Sequence, residues 1–126
     1  MRAVDTNVLV RLVARDDAKQ AATADAFVEK GAWISHLVLV ETVWALATVY
    51  RLRRGEIATA VEMILKHQHL AIEDPDTVAR ALEVYRKKAR LGFSDCLVLE
   101  VARSAGHLPL GTFDRALGKL DGAERL

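Results

Sequence analysis

Four carboxylates, Asp5, Glu41, Asp95 and Asp114, stand where chemistry is a reasonable question. Asp5 follows the short apolar run Arg2-Ala3-Val4 and Asp114 follows Leu110 to Thr112, so each falls at the carboxyl end of a predicted strand. Either alone reads as a turn or cap residue; two acids at two such ends are more suggestive than one. Glu41 has Leu37, Val38, Trp44 and Ala45 at helical spacing, a stripe expected to face the core. A carboxylate there needs an Arg or Lys partner or a metal, because desolvating it unpaired is costly. Asp95 opens a predicted helix ahead of Cys96-Leu97-Val98-Leu99, where its plain role is to complement the helix dipole, worth about 0.3–1 kcal/mol. Taken together, converging carboxylates repel one another and must hold protons or bind a cation. Oxygen donors without His or Cys spacing suit magnesium or manganese better than zinc. Such a site activates water and stabilises charge on a phosphodiester under attack. The residues reach a metal-dependent phosphoryl-transfer site, without a substrate.

The elements that must position these acids are read from punctuation. Arg2-Ala3-Val4 is a strand ended by Asp5-Thr6-Asn7, and Val8 to Ala14 supplies one or two helical turns. Asp16 and Asp17 offer a cap for a helix to about Lys30, with Gly31 as its stop. Ala32-Trp33-Ile34 is a second strand, followed by an apolar helix from about Leu37 to Tyr50 and a basic turn, Arg51 to Gly55. Glu56 to Lys66 is helical, Leu70-Ala71-Ile72 is a third strand, and Asp74-Pro75 is a cap with proline in the first turn. Ser94 is expected to cap a helix from Asp95 to about Ser104, ended by Gly106. Leu108 to Thr112 leads through a fourth strand, and a short helix follows Asp114. Short strands alternating with helices imply a parallel sheet covered on both faces, with ligands at the carboxyl ends of its strands.

Composition bounds the rest. A chain of 126 residues, 52% hydrophobic and 28% charged, has the makeup of one globular domain, 1–126. A net charge of +1 supplies no overall field toward nucleic acid or membrane, so any polyanion needs a local patch. The charge at Asp5 argues against a signal peptide, and Glu41 and His36 interrupt the best membrane candidate, Trp33 to Tyr50. The single cysteine, Cys96, excludes a disulfide framework and a Cys-based zinc site. It suits a reducing compartment, and the cytoplasm is the expected location; Cys96 itself reads as a buried small hydrophobe.

The sequence resembles the PIN domain family, and within it the small VapC-type toxins of toxin–antitoxin pairs. The resemblance rests on Val4-Asp5-Thr6-Asn7-Val8-Leu9, on Ile34-Ser35 through Val40-Glu41-Thr42, and on Gly92-Phe93-Ser94-Asp95-Cys96-Leu97 followed by Gly106 and Thr112-Phe113-Asp114. It spans nearly the whole chain, with the acids in order. It implies a three-layer α/β/α sandwich around a short-stranded parallel sheet, and an endoribonuclease using Mg2+ or Mn2+. By the same resemblance Asp5, Glu41, Asp95 and Asp114 are the catalytic, metal-binding acids, and Thr6, Asn7, Ser94 and Thr112 support them. It further implies an RNA substrate, a cognate VapB-type antitoxin and a homodimer. The tail Asp121 to Leu126 departs from the pattern, being short and polar for a last edge strand.

Two basic clusters are candidate RNA contacts: Arg51, Arg53 and Arg54, and Arg86, Lys87, Lys88 and Arg90. A solvated face or a surface for an acidic antitoxin segment accounts for them equally well. His67 and His69 read as caps rather than metal ligands, and Trp33 and Trp44 as core or dimer-interface residues. Two alternatives stay open. A receiver-like phospho-acceptor domain wants an acidic pair after its first strand and a late lysine, whereas Asp5 stands alone and Lys119 lies well past Asp114. A non-catalytic PIN-like protein that only binds RNA or a partner has no need of all four acids.

Overall fold

Asp5 makes the first strand short. Its backbone is still extended, but its Oδ1 accepts from the Val8 N–H at 3.3 Å, which starts a helix at the next residue. In the computed structural model, which describes all 126 residues, β1 (Arg2–Ala3) therefore passes directly into α1 (Thr6–Ala14). Asp17 caps α2 (Ala18–Val28) through the Gln20 N–H at 2.9 Å. That helix stops short of Lys30, because the Gly31 N–H closes onto the Val28 carbonyl and Gly31 takes a left-handed φ of 91°. β2 (Ala32–Ile34) ends at Ser35, whose hydroxyl accepts from the Val38 N–H to cap α3 (His36–Thr48).

The expected basic turn is shorter than its charge pattern. The Glu56 carboxylate accepts from the Arg53 N–H at 2.9 Å, so Arg54 and Gly55 already belong to α4 (Arg54–Lys66). β3 (Leu70–Ile72) follows. The strands lie in the order β1-β2-β3, all parallel, with Ala3 opposite Trp33 and Ile34 opposite Ile72. Leu9, Val28, Ile34, Leu39, Leu46 and Val61 are fully buried. The buried Thr42 hydroxyl donates to the Val38 carbonyl at 2.8 Å, which satisfies it within its own helix. The Trp33 to Tyr50 segment is thus a strand and a helix, and no helix of the chain is long and apolar enough to cross a membrane.

Met1–Pro75 forms one compact unit and Asp76–Leu126 a second. α5 (Pro75–Lys87) opens with the expected proline, but Asp74 is not an extended cap: its φ is +43°, a turn conformation that aspartate tolerates. Tyr85 of α5 meets Phe93 of α6 (Phe93–Ala105) edge to face, ring centres 5.9 Å apart. Glu100 of α6 is buried, with Arg103 at 3.3 Å and Arg80 of α5 at 3.9 Å. β4 (Leu110–Thr112) is followed by a 3-10 turn, Leu117–Lys119, and then by β5 (Ala123–Arg125). The tail does form an edge strand: Leu110 to Thr112 pair in parallel with Ala123 to Arg125. Its polarity is no obstacle, since pairing uses backbone groups and an edge leaves side chains in water. Every strand pairing is parallel, within a three-stranded sheet in the first unit and a separate two-stranded sheet in the second.

Candidate active site

Three of the four predicted acids are tied down by backbone at the start of a helical element. Asp5, past the carboxyl end of β1, uses Oδ1 for the Val8 N–H and leaves Oδ2 without a protein partner. Asp95 sits in the first turn of α6 and accepts from the Gly92 N–H through Oδ2 at 3.1 Å. Gly92, not Ser94, is therefore the cap residue; Ser94 lies exposed inside the first turn. Asp114, just past β4, accepts from the Leu117 N–H through Oδ1 at 2.8 Å, and its own N–H donates to the Thr112 hydroxyl at 3.0 Å. Each aspartate thus keeps one oxygen for its own backbone and one for something else.

Glu41 differs from expectation. It is exposed, and the α3 face it shares with Leu37 (69% exposed) and Trp44 (65%) is turned to solvent. The buried face is Leu39, Thr42 and Leu46. Because α3 is apolar nearly all round, its periodicity marks stripes without saying which one the protein covers. Neither carboxylate oxygen of Glu41 has a partner in the chain, so no Arg or Lys neutralises it. Trp33 (40%) and Trp44 are likewise surface residues rather than core.

Asp5, Glu41, Thr6 and Asn7 belong to the first unit, and Asp95, Asp114, Ser94 and Thr112 to the second. Nowhere do three acidic, histidine or cysteine side chains draw close enough to form a ready-made metal cage. The donor set still suits a hard divalent cation: oxygen only, on exposed or half-buried aspartates each with one oxygen free. His67 and His69 are occupied with each other, the His67 Nδ1 accepting from the His69 N–H at 3.1 Å at the end of α4, as caps do. Cys96 is buried.

One pair of residues escaped the sequence reading. Continuing the register, Asp5, Ser35 and Glu73 stand level with one another, two residues past Ala3 in β1 and one residue past Ile34 and Ile72 in β2 and β3. Glu73 Oε1 accepts from the His36 backbone N–H at 2.9 Å and lies 3.8 Å from its Nδ1, while the His36 Nε2 is buried without a partner. In the sequence His36 is one polar residue at the start of an apolar run. Nothing in its spacing points to Glu73, which is a neighbour only because β2 and β3 pair.

The basic clusters separate. Arg53 is held by Glu56 and Arg54 is half-buried in α4, which leaves Arg51 exposed. Lys87 is held by Glu83 at 3.0 Å, whereas Arg90 is exposed in the loop before α6.

A family model for the PIN domain matches residues 2–123. The chain belongs to the PIN domain family. Its six helices and short parallel strands are those of the PIN fold. The chain is also 28% identical over 125 residues to a VapC ribonuclease of Aquifex aeolicus (strain VF5), covering 95% of this chain and 92% of that protein. No solved structure matches it. A PIN domain with its acids at strand and helix ends displaces the receiver-like alternative.

Proposed function

We propose that this PIN domain is a metal-dependent endoribonuclease and the toxin of a toxin–antitoxin pair, with Asp5, Glu41, Asp95 and Asp114 as its catalytic, metal-binding acids. The observation that carries this reading is the common build of Asp5, Asp95 and Asp114, each clamped by one oxygen to its own backbone with the other oxygen free. Clamping fixes a carboxylate before any ligand arrives, so less ordering is needed when a cation binds. The likeness to a VapC ribonuclease over 95% of the chain supports RNA as substrate and a VapB-type antitoxin as partner. A cytoplasmic location and a homodimer are proposed from the resemblance to VapC-type toxins alone.

A bound Mg2+ or Mn2+ would supply an activated water and offset charge on the phosphate under attack. The chain's own residues have simpler tasks. Asp5, Asp95 and Asp114 present fixed oxygens. Glu41, with no competing cation in the chain, adds one mobile carboxylate. Thr112 holds the Asp114 backbone, while Thr6, Asn7 and Ser94 offer exposed or half-exposed polar groups beside the acids they follow or precede.

The test is RNA cleavage by purified wild type and Asp95→Asn in parallel, with magnesium, with manganese and with a chelator. The expected result is cleavage that needs the metal and disappears in the variant. Equal cleavage by both proteins, or cleavage that persists in the chelator, overturns the assignment.

A further inference from the structure

Beyond the acids, one concavity of the second unit is built almost wholly of cations and small apolar surface. It measures about 260 Å³ and is lined by the end of α5 and the following loop on one side and the 3-10 turn on the other. Lys87, Lys88 and Arg90 come from the first segment and Lys119 from the second, with no carboxylate among the lining residues. The side chains of Arg90 and Lys119 form no hydrogen bond or ion pair within the chain, whereas Lys87 is held by Glu83. Two uncompensated cations facing one hollow repel each other unless an anion sits between them.

The hollow is joined to the proposed acidic site through the backbone. Asp114 organises the 3-10 turn, accepting from Leu117 through its side chain and from the Gly118 N–H through its carbonyl at 2.9 Å. Lys119 is the last residue of that turn. An acid assigned to the scissile phosphate and a lysine suited to a neighbouring phosphate thus share one hydrogen-bonded six-residue segment. Ala116 and Leu120 give the hollow an apolar wall on which a sugar or base can rest.

We infer that Arg90 and Lys119, with Lys88 beside them, form a subsite for a backbone phosphate of the RNA strand next to the one cleaved. This deepens the ribonuclease reading and rests on it for the identity of the ligand. It also narrows the basic run: Arg90 is a binding residue, Lys87 is a helix ion-pair partner, and Lys119, which lies outside both basic clusters of the sequence, takes its place. Phosphate contacts of this kind position the strand and carry no sequence choice.

The test measures binding of a 5′-fluorescein-labelled, mixed-sequence, single-stranded RNA 12-mer by anisotropy, in chelator so that nothing is cut. Wild type is compared with Arg90→Gln/Lys119→Gln and with Lys30→Gln, a surface change in the other unit. Losing two phosphate contacts lowers the log–log salt slope by about 1.4 and weakens binding roughly 25-fold at 0.1 M salt, if all of the loss is counterion release. Lys30→Gln is expected within twofold of wild type. A double variant with wild-type slope and affinity overturns the subsite, as does a wild type that binds no RNA. So does a double variant that keeps RNA binding but loses binding to a poly-glutamate 12-mer, which marks a surface for an acidic protein segment. Cleavage with metal is scored separately. RNA bound through Arg90 and Lys119 but never cut leaves the subsite and removes the nuclease; RNA cut normally by the double variant, with unchanged slope, does the reverse.

Discussion

Asp5 has two separable jobs, and an isosteric change parts them. As a cap, its Oδ1 meets the Val8 N–H at 3.3 Å, a long bond on an exposed residue. Removing it in Asp5→Ala is expected to cost about 1 kcal/mol. With an unfolding entropy of about 2.1 cal/mol/K per residue over 126 residues, near 0.26 kcal/mol/K in all, this lowers the melting temperature by about 4 °C. Asn caps about as well as Asp, so Asp5→Asn should melt within about 2 °C of wild type. As a metal-binding acid, however, Asp5 contributes charge, which Asn lacks. Loss of about 3 kcal/mol of transition-state stabilisation is a drop of roughly 160-fold in cleavage rate. Calorimetry of the three proteins alongside RNA cleavage at fixed metal reads both quantities. An Asp5→Asn protein that cuts RNA within threefold of wild type refutes the reasoning and leaves Asp5 as a cap only.

Three further outcomes follow from packing and charge. Glu100→Ala leaves Arg80 and Arg103 without their buried carboxylate; since both arginines are partly exposed and can rehydrate, the expected loss is about 2–3 kcal/mol rather than the full value of a buried pair, read from the urea midpoint. A loss below about 0.5 kcal/mol would show that the pair is incidental. Gly118→Ala sets a Cβ 2.6 Å from the Arg125 Cβ and 3.2 Å from its Cα, so β5 must move; faster amide exchange across β4 and β5 is expected, with about 1–3 kcal/mol lost. The Asp25 carboxylate is held below its ordinary 3.8 chiefly by its hydrogen bond from Arg15, and Glu56 below 4.5 chiefly by the Arg53 backbone N–H. Both depressed groups contribute stability that is present above those ordinary values and lost as pH falls through the lowered ones. Arg15→Gln should shrink that acid-side loss in a pH series of melting curves, and salt should shrink it in wild type too, since the pair is exposed.

The strands show how far local chemistry reaches. Ala32–Ile34 and Leu70–Ile72 are bounded as read, because a left-handed glycine and a capping serine bracket the first. β5 was illegible because its residues have little strand character: its existence depends on β4 offering an unpaired edge. Glu41 was misplaced onto the core for a related reason. Its neighbours are apolar on every side, and only the packing of α1 and α4 against α3 selects Leu39, Thr42 and Leu46 as the buried face.

The same division runs through the site. Asp5, Asp95 and Asp114 could be singled out from sequence because each sits where its side chain bonds a backbone N–H within three residues, an interaction that needs no distant partner. Such short-range bonds are encoded in neighbouring residue types. Glu73 against His36, Glu100 against Arg80, and Lys119 across a hollow from Arg90 join residues separated by 20 or more positions. No local preference distinguishes those partners from any other charged residue. Strand pairing and helix packing brought them together, and so decided which charges meet.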